Sequence, residues 1–344
     1  MKLKLSIMLL LIALITSAAP ATTSYNWTVG ATADWDDGDG RNWVDEMGVV
    51  VSKPDGQYEV RVRNPASTVR LDTVEGNWSY TGNGTRLRIY QGATLNIVDG
   101  GDLRGFGWIR VGEQSGTPEE IGFLNQSGGQ ILLRRLKEKG KLSIGDGYSI
   151  LHGSTYTMSG GILTYDAADA ACEGQWILGS RDGEGTFVVV GSAPVINLRN
   201  LYVAGDPAGT DVYYNNGTAA LKFLVGSDGV SPINLAGTAY INQGTDTLAK
   251  LIVSLTAAPL IGRDILLVNA TTAVHGVFDS LNGGSAAEGA LVSLGFGGSI
   301  YNYAMTYTGG GDGHDIMLLS VPEPATVAFI SLGFGLLSVL KRRQ

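Results

Sequence analysis

The residues of this chain that are best suited to bind a metal ion lie in a short loop near the N-terminus. Asp36, Asp37 and Asp39 fall within residues 34–40, where carboxylates alternate with glycines. Ca²⁺ prefers such oxygen ligands on a flexible loop. The stretch lacks the closing glutamate of an EF-hand loop. An ordinary turn, for which Asp-Gly pairs are typical, is the alternative.

A second candidate lies near the C-terminus, where residues 310–318 read Gly-Gly-Asp-Gly-His-Asp-Ile-Met-Leu. This nonapeptide resembles the calcium-binding repeat G-G-x-G-x-D-x-U-x of β-roll proteins, which implies Asp312 and Asp315 as ligands. In β-rolls the ion lies between successive copies, and this chain has a single copy. The alternative is a glycine-rich hairpin turn before the last strand. Apart from calcium at these two loops, the sequence predicts no cofactor.

The sequence carries none of the common signatures of an enzyme active site. Its three histidines, His152, His275 and His314, form no H-E-x-x-H pair, and there is no G-x-S-x-G elbow or phosphate-binding loop. We therefore predict that the protein is not an enzyme. The alternative is a polysaccharide lyase or glycoside hydrolase, because β-helices often carry these activities.

Two further features could bind carbohydrate. The one basic cluster would suit an acidic polysaccharide, although solvated loops and lysine-guarded edge strands are the more common reason for such a run. It consists of Arg134, Arg135, Lys137, Lys139 and Lys141. The tryptophans could stack on sugar rings, although packing in a core or cap is their more common role. A calcium- or carbohydrate-binding module is therefore a third functional class.

Composition narrows the class of protein further. The 344 residues include 50 glycines, and 16% of residues are charged while 44% are hydrophobic. This balance excludes a disordered acidic tail and a coiled coil. Long uncharged runs occur only at the two ends, which excludes a polytopic membrane protein. The net charge of −8 argues against a nucleic-acid partner.

Between its ends the chain repeats a short pattern of two strands, each of which runs into glycine. Examples are residues 108–112 with 123–129, 142–146 with 156–161, and 176–180 with 187–191. One unit has too few apolar residues to bury a core alone, whereas stacked units share one. We therefore predict an all-β, glycine-rich solenoid, a right-handed parallel β-helix, with a β-sandwich as the alternative. The repeats resemble autotransporter-type β-helix segments.

This pattern also predicts the core and the domain limits. Leu142, Ile144, Met158 and Ile162 are expected to point inward. Residues 22–86 are predicted to form an N-terminal cap with tryptophans on short strands, Trp27, Trp35, Trp43 and Trp78 among them. The solenoid is predicted over residues 87–235, and closing coils or a small β-domain over 236–320.

The N-terminus is typical of a signal peptide. Lys2 and Lys4 precede an apolar stretch and the small residues Ala19 and Ala21, so residues 1–21 are predicted to be removed by signal peptidase after Sec export. The single cysteine, Cys172, cannot form an internal disulfide. The exported protein is therefore expected to rely on packing and backbone hydrogen bonds.

The C-terminus, residues 321–344, has three parts. Pro322, Glu323 and Pro324 are followed by an uncharged apolar run over 325–340, which predicts a transmembrane helix, and then by Lys341, Arg342 and Arg343. This order resembles the PEP-CTERM sorting signal of bacterial surface proteins. The resemblance implies an exosortase that acts at the Pro-Glu-Pro motif, and the alternative is an ordinary C-terminal anchor.

Taken together, these features predict an exported structural or adhesive protein. Its tail would anchor it transiently in the inner membrane before transfer to the cell surface, outer membrane or extracellular matrix. The resemblance implies exopolysaccharide or other matrix components as partners.

Overall fold

The computed structural model describes fifteen ranges of the chain, and every regular element in them is a β-strand. These ranges are 24–27, 32–34, 43–45, 50–51, 59–63, 68–71, 74–75, 86–104, 106–112, 121–134, 140–146, 153–180, 183–205, 216–244 and 246–322. The chain is all-β, as its composition and repeats predict.

The strands form three sheets. Sheet A contains β1 Ser24–Trp27, β3 Trp43–Asp45, β4 Val50–Val51, β5 Glu59–Val62, β8 Arg86–Ile89, β11 Trp108–Val111, β14 Lys141–Asp146, β17 Gln175–Ser180, β20 Asn200–Val203, β23 Thr238–Ile241 and β26 Ala273–His275. Sheet B contains β2 Thr32–Asp34, β6 Thr68–Leu71, β9 Thr94–Ile97, β12 Phe123–Gln126, β15 Gly153–Met158, β18 Glu184–Val190, β21 Asn216–Val225, β24 Asp246–Leu255 and β27 Ser280–Leu281. Sheet C contains β7 Val74–Glu75, β10 Asp102–Arg104, β13 Gln130–Leu133, β16 Ile162–Tyr165, β19 Val195–Leu198, β22 Ile233–Leu235, β25 Ile265–Ala270, β28 Leu291–Phe296, β29 Ser299–Gly309 and β30 Asp315–Ser320.

The chain winds through these sheets in a fixed order. From β5 to β25, each group of three successive strands adds one strand to sheet A, one to B and one to C. Each strand pairs in parallel with the one three places further on, as β8 does with β11, β9 with β12 and β10 with β13. This is a β-solenoid of stacked parallel sheets, and not the antiparallel sandwich that the sequence left as an alternative.

Equivalent residues of successive turns lie directly above one another. Leu142 is the register partner of Ile109 on one side and of Trp176 on the other, and it is fully buried. The inward residues of all three sheets form one continuous hydrophobic core. Full burial of each aliphatic side chain contributes roughly 1.5–3 kcal/mol, so successive turns stabilise one another.

A buried polar contact lies beside an aromatic cluster of this core. Tyr156, Trp176 and Phe187 meet there, with the Trp176 and Phe187 ring centroids 4.1 Å apart. The Tyr156 hydroxyl donates to Gln126 Oε1, and Gln126 Nε2 donates to the carbonyl oxygen of Ile162 at 3.1 Å. Burial raises the pKa of Tyr156 well above its usual value, which keeps the hydroxyl a proton donor.

Three of the four residues that we predicted to point inward do so. Leu142, Ile144 and Met158 are fully buried, whereas the prediction for Ile162 is wrong because 40% of this side chain is exposed. Residues 159–161 form a turn between β15 and β16, so inside and outside cannot be counted through it. Leu163 takes the inward position instead, in register with Ile131 and Ile196.

Glycines mark corners where the backbone of successive turns comes close, as the sequence predicts. Gly179 has a φ of +60°, and a Cβ built on it would lie 2.1 Å from the carbonyl oxygen of Thr218. Gly145 has a φ of +70° and would place a Cβ 2.3 Å from the backbone of Glu184. A side chain at either corner would force two turns apart.

Parallel pairing continues across both predicted domain boundaries. Strands β5 and β6 precede residue 87 and pair in parallel with β8 and β9. Beyond residue 235, the strands from β23 to β27 continue the same stacks. Strands β28, β29 and β30 then pair antiparallel, and β30 joins sheet C beside β25. Strand pairing does not define folding units, so the division into domains stays a prediction.

At the N-terminal end, β1 pairs in parallel with β5 and antiparallel with β3. Trp27 and Trp43 are register partners in the antiparallel pair, while Trp35 and Trp78 lie outside the described residues. The role of these tryptophans as a cap stays a prediction.

At the C-terminal end of sheet B, the side chains on either side of the two-residue strand β27 extend its pairing with β24. The Val253 amide donates to Asn282 Oδ1 at 2.8 Å, and Asn282 Nδ2 donates to the Val253 carbonyl oxygen at 2.8 Å. Asp279 Oδ2 accepts a hydrogen bond from the Ala249 amide at 2.7 Å. These contacts satisfy backbone groups of β24 that could otherwise recruit another chain.

Two isoleucines of the solenoid provide a matched test of this core. We expect Ile144→Asp to lower the free energy of unfolding by several kcal/mol, because it places a charge among stacked aliphatic side chains. Ile162→Asp should change it by about 0.5 kcal/mol or less, since that side chain faces solvent. Denaturant unfolding monitored by circular dichroism measures both. Equal losses in the two variants would contradict the assigned faces of β14 and β16.

Candidate functional site

The predicted sorting motif starts where the last strand ends, so the C-terminal end of the solenoid is the candidate functional site. The amide of Ser320, the last residue of β30, donates to Asp264 Oδ1 at 2.7 Å. The amide of Val321 donates to the carbonyl oxygen of Asn302 at 2.9 Å. Pro322 has no amide proton and cannot add a further bond of this kind. The chain is thus hydrogen-bonded to the sheet as far as Val321.

We call the end of this hydrogen-bonded segment, at Val321 and Pro322, the exit. Two neighbouring grooves lie beside it. The larger has a volume of about 350 Å³, and its lining includes Leu260, Ile261, Ile300, Tyr301, Val321 and Pro322. The smaller has a volume of about 220 Å³ and shares Leu260 with the larger one. Its lining also includes Asp228, Pro259 and Arg263. The loop between β24 and β25 therefore contributes to both grooves.

Three exposed apolar side chains, which we call the apolar rim, border the larger groove. They are Leu260, Ile261 and Ile300, which are 60%, 94% and 63% exposed. The Arg263 amide donates to the Leu260 carbonyl oxygen at 3.2 Å, and Gly262 has a φ of +75°, as a tight turn with glycine at its third position requires. This turn holds Ile261 at the tip of the loop. Adjacent exposed apolar side chains often mark a contact surface.

The other predicted sorting residues follow this exit in the sequence. Pro322 is the last described residue, and Glu323, Pro324, Lys341, Arg342 and Arg343 lie outside the described ranges. The predicted signal peptide, residues 1–21, and the predicted helix, residues 325–340, lie outside them too. In the part of the chain that the structure describes, no helix has the length and apolar character needed to cross a bilayer.

The calcium candidates fall in two different situations. Asp36, Asp37 and Asp39 lie outside the described residues. Asp312 and Asp315 lie in and after the hairpin turn that joins β29 to β30. Within the described ranges, no group of three or more histidine, cysteine, aspartate or glutamate side chains is placed to hold a metal ion.

The two aspartates of the hairpin have different surroundings. Asp312 is exposed, and its Oδ1 accepts a hydrogen bond from the His314 amide at 3.1 Å, as in an ordinary turn. Asp315 is only 7% exposed, and its Oδ1 has no hydrogen-bond partner. Burial is the main cause that raises the pKa of Asp315, and the nearby Asp312 carboxylate adds to the effect. The Ala270 amide and His314 oppose it.

Asp315 stands at the end of a row of asparagines on the outer face of sheet C. Asn197, Asn234 and Asn269 occupy equivalent positions in β19, β22 and β25. Asn234 Nδ2 donates to Asn197 Oδ1 at 3.4 Å, and Asn269 Nδ2 donates to Asn234 Oδ1 at 3.1 Å. Asp315 is the register partner of Asn269 on the far side of β25. A carboxylate therefore occupies the position at which a further amide would extend the row.

The predicted basic cluster is divided between ion pairs. Arg134 Nε lies 3.6 Å from Asp166 Oδ2, and Lys141 Nζ lies 3.9 Å from Glu173 Oε2. Both contacts link neighbouring turns. Arg135, Lys137 and Lys139 lie outside the described residues, so a single basic patch stays a prediction.

Trp108 lies on the outer face of sheet A, yet it is only 6% exposed. The guanidinium of Arg110 lies 3.6 Å from the centroid of its ring, and Nε1 donates to Ser143 Oγ at 2.8 Å. The ring of Trp108 is therefore covered and offers no free face for stacking on a sugar. Trp176 lies in the core.

Further along sheet A the outer face carries an aromatic row. Tyr202 and Tyr240 are register partners whose ring centroids lie 5.0 Å apart at an interplanar angle of 13°. His275 follows at 5.4 Å from Tyr240. The rings stack on one another along the solenoid axis, so their faces are engaged with each other. This row links successive turns in the way that the asparagine row does.

Sequence reasoning missed these rows and the apolar rim. The asparagine row had a visible signal, because Ile-Asn-Leu occurs at residues 196–198 and again at 233–235. The rim had none, since Leu260 and Ile261 resemble any apolar pair in a strand-rich sequence. Only the turn at Gly262 places them in solvent.

Asp315→Asn tests the buried carboxylate. The pKa of Asp315 is raised in the folded state, so folding favours the protonated acid. The free energy of unfolding of the protein therefore falls as the pH rises through that pKa. At neutral pH the free energy of unfolding of the variant should be on the order of 1 kcal/mol higher than that of the wild type, because the substitution removes a buried charge whose Oδ1 has no hydrogen-bond partner. Below the pKa of an unfolded aspartate, the two should be equal. Thermal melts between pH 3 and pH 8 measure this difference.

Asp312→Asn is the comparison, since it removes the nearby charge that adds to the raised pKa of Asp315 but leaves the Asp315 carboxylate buried, so it should stabilise the protein less than Asp315→Asn does. A lower stability of Asp315→Asn at neutral pH would contradict the assignment. So would stabilisation of the wild type by calcium that is absent in Asp315→Asn, because it would identify the carboxylate as a metal ligand.

No protein-family model, no curated protein and no solved structure matches this chain.

Proposed function

We propose that this is an exported structural or adhesive protein that is sorted to the bacterial surface or matrix through its C-terminal tail. The observation that carries the proposal is the position of Val321. The last backbone bond of the antiparallel sheet is made one residue before the Pro-Glu-Pro motif. A processing enzyme would therefore find its recognition motif directly after the hydrogen-bonded sheet.

The proposed route uses both ends of the chain. Signal peptidase removes residues 1–21 after Sec export, and residues 325–340 hold the protein transiently in the inner membrane. Lys341, Arg342 and Arg343 stay on the cytoplasmic side. An exosortase then acts at Pro322, Glu323 and Pro324, as the resemblance to PEP-CTERM proteins implies. Proline at both ends of the motif supports this proposal, since neither proline can donate a strand hydrogen bond.

The solenoid supports a structural role outside the cell. Cys172 is buried and is the one cysteine in the chain, so no internal disulfide is available. Stacked turns and side-chain rows stabilise such a fold without one. We expect the winding to be right-handed, because crossovers between parallel strands of one sheet almost always are. Exopolysaccharide or another matrix component is the proposed partner.

Removal of the tail tests the route. A chain that lacks residues 323–344 should be exported and then recovered in the soluble fraction, because no apolar run would remain after the leader is cleaved. Carbonate extraction of membranes followed by immunoblotting measures the partition. Retention of this chain in washed membranes would contradict the assignment of the tail as the anchor.

The matched control keeps the apolar run and changes only the motif. Pro322→Ala, Glu323→Ala and Pro324→Ala together should leave the protein membrane-bound and unprocessed in a host that carries an exosortase. Mass spectrometry of the C-terminus reads out processing. Release of this variant at the wild-type rate would show that the motif does not direct processing.

A second measurement tests the proposed absence of catalysis. Purified mature protein should release neither reducing nor unsaturated sugars from native exopolysaccharide, while it should bind that polymer weakly in a sedimentation assay. The expectation of weak binding rests on the asparagine row. The side-chain amides of Asn197, Asn234 and Asn269 pair with one another, so they leave few hydrogen-bonding groups for a sugar. Sugar release that a single carboxylate substitution abolished would establish an enzyme instead.

A further inference from the structure

The apolar rim and the exit of the chain lie at the same place. Ile261 forms the tip of its turn and is 94% exposed, and Ile300 at the start of β29 is 63% exposed. Pro322 lines the same groove as both of them. The chain therefore leaves the sheet beside the most exposed apolar side chain of the described residues.

We propose that Leu260, Ile261 and Ile300 rest in the surface of the lipid bilayer while the tail is anchored there. The inference depends on the proposed function, in which residues 325–340 span the membrane. Only Glu323 and Pro324 separate Pro322 from the apolar run. At no more than roughly 3.6 Å per residue, this connection holds Pro322 within about 11 Å of the start of that run. Side chains of interfacial segments reach about 5–10 Å into the boundary between headgroups and acyl chains.

The surroundings of the rim favour lipid over other occupants. Arg263 is exposed and lies two residues after Ile261, where its guanidinium donates to the Asp228 carbonyl oxygen at 3.5 Å, and the exposed Asp264 follows it. The loop between β24 and β25 therefore carries no net charge, and its apolar side chains make the contact with lipid. The groove of about 350 Å³ has room for a few side chains and cannot hold the apolar run of residues 325–340. Three side chains also fall far short of the roughly 800 Å² that each partner of a stable protein complex buries.

Such a contact would give the anchored protein a defined orientation. The tail alone fixes one point, and a solenoid attached at one point can pivot about it. A second contact at Ile261 and Ile300 fixes which side of the last turn faces the bilayer. The Pro-Glu-Pro motif then lies at the membrane surface, where a membrane-embedded processing enzyme can reach it.

A fluorescent label at the tip tests the proposal. The full chain after leader removal, with Ile261→Cys, is labelled with an environment-sensitive dye and reconstituted into vesicles of phosphatidylethanolamine and phosphatidylglycerol. We expect the emission to shift to shorter wavelength and to be quenched by lipids that carry a nitroxide near the headgroup. Cys172 is fully buried, so the unsubstituted chain serves as the labelling blank.

Ile162→Cys is the matched control. Ile162 is an exposed isoleucine too, at 40%, and it lies on strand β16 of sheet C, three strands away from β25. A label there should give the same emission with and without vesicles. A shift of equal size at both positions would overturn the proposal, because the contact would not be specific to the rim.

The remaining outcomes separate this inference from the proposed function. If the labelled chain floats with vesicles but the dye at residue 261 stays water-like, the anchor stands and the rim contact is wrong. If the chain does not float, the anchor itself is wrong, and the rim contact falls with it. A shift without vesicles that grows with protein concentration would identify a second copy of the chain as the occupant and would also overturn the proposal.

Discussion

The constraint on which this structure depends is the in-register stacking of parallel strands. Each residue lies above its equivalent in the preceding turn, so each position must be compatible with a copy of its own environment on both sides. Inside, this gives columns of apolar side chains such as Ile109, Leu142 and Trp176. Outside, it gives rows of asparagine and tyrosine, because amides and aromatic rings can pair with their own kind. Charged residues stack in register too, since Arg61, Arg88 and Arg110 are register partners in β5, β8 and β11, whereas Arg134 and Lys141 form ion pairs with acids of the next turn.

The last strand of each stack has backbone groups that could pair with a further strand, so the chain must satisfy or cover them. At the C-terminal end the sheets do this in different ways. Sheet C is extended by an antiparallel group, β28 to β30, whereas sheet B ends in the two-residue strand β27, which the side chains of Asp279 and Asn282 flank and supplement. Tyr307 joins these elements, because its hydroxyl donates to the Ala286 carbonyl oxygen at 2.8 Å and accepts from the Phe278 amide at 3.0 Å. Burial raises the pKa of Tyr307 to about 12, which keeps the hydroxyl protonated. The same antiparallel group carries the chain to its exit at Pro322.

The sequence predicts much of the solenoid and little of its third sheet. Strands of sheets A and B run into glycine at clear intervals. The predicted pairs 142–146 with 156–161 and 176–180 with 187–191 overlap β14 and β15, and β17 and β18, although each strand begins earlier than predicted. Strands of sheet C, such as Ile162–Tyr165, follow the preceding strand after a turn of only a few residues. In the sequence pattern the two strands therefore look like one. This is why Ile162 was wrongly predicted to point inward. At the candidate site, burial of Asp315 and exposure of Ile261 arise from contacts between distant segments and turn geometry, which no local pattern encodes. The sorting motif is the reverse case: its pattern is plain in sequence, and most of it lies outside the described residues.

The position of the exit connects the fold to the proposed function. In the proposed route the tail is the anchor. Contacts in a stack of turns lie mainly between neighbours, so a force on the tail would act first on the last turn. In sheet C, β30 pairs with both β25 and β29. The Asp264 carboxylate and the Asn302 carbonyl oxygen accept hydrogen bonds from the amides of Ser320 and Val321. A pull on the tail is therefore transmitted to paired strands rather than to a loop. In the proposed route, cleavage at the Pro-Glu-Pro motif leaves these paired strands intact, because the last described strand, β30, ends at Ser320.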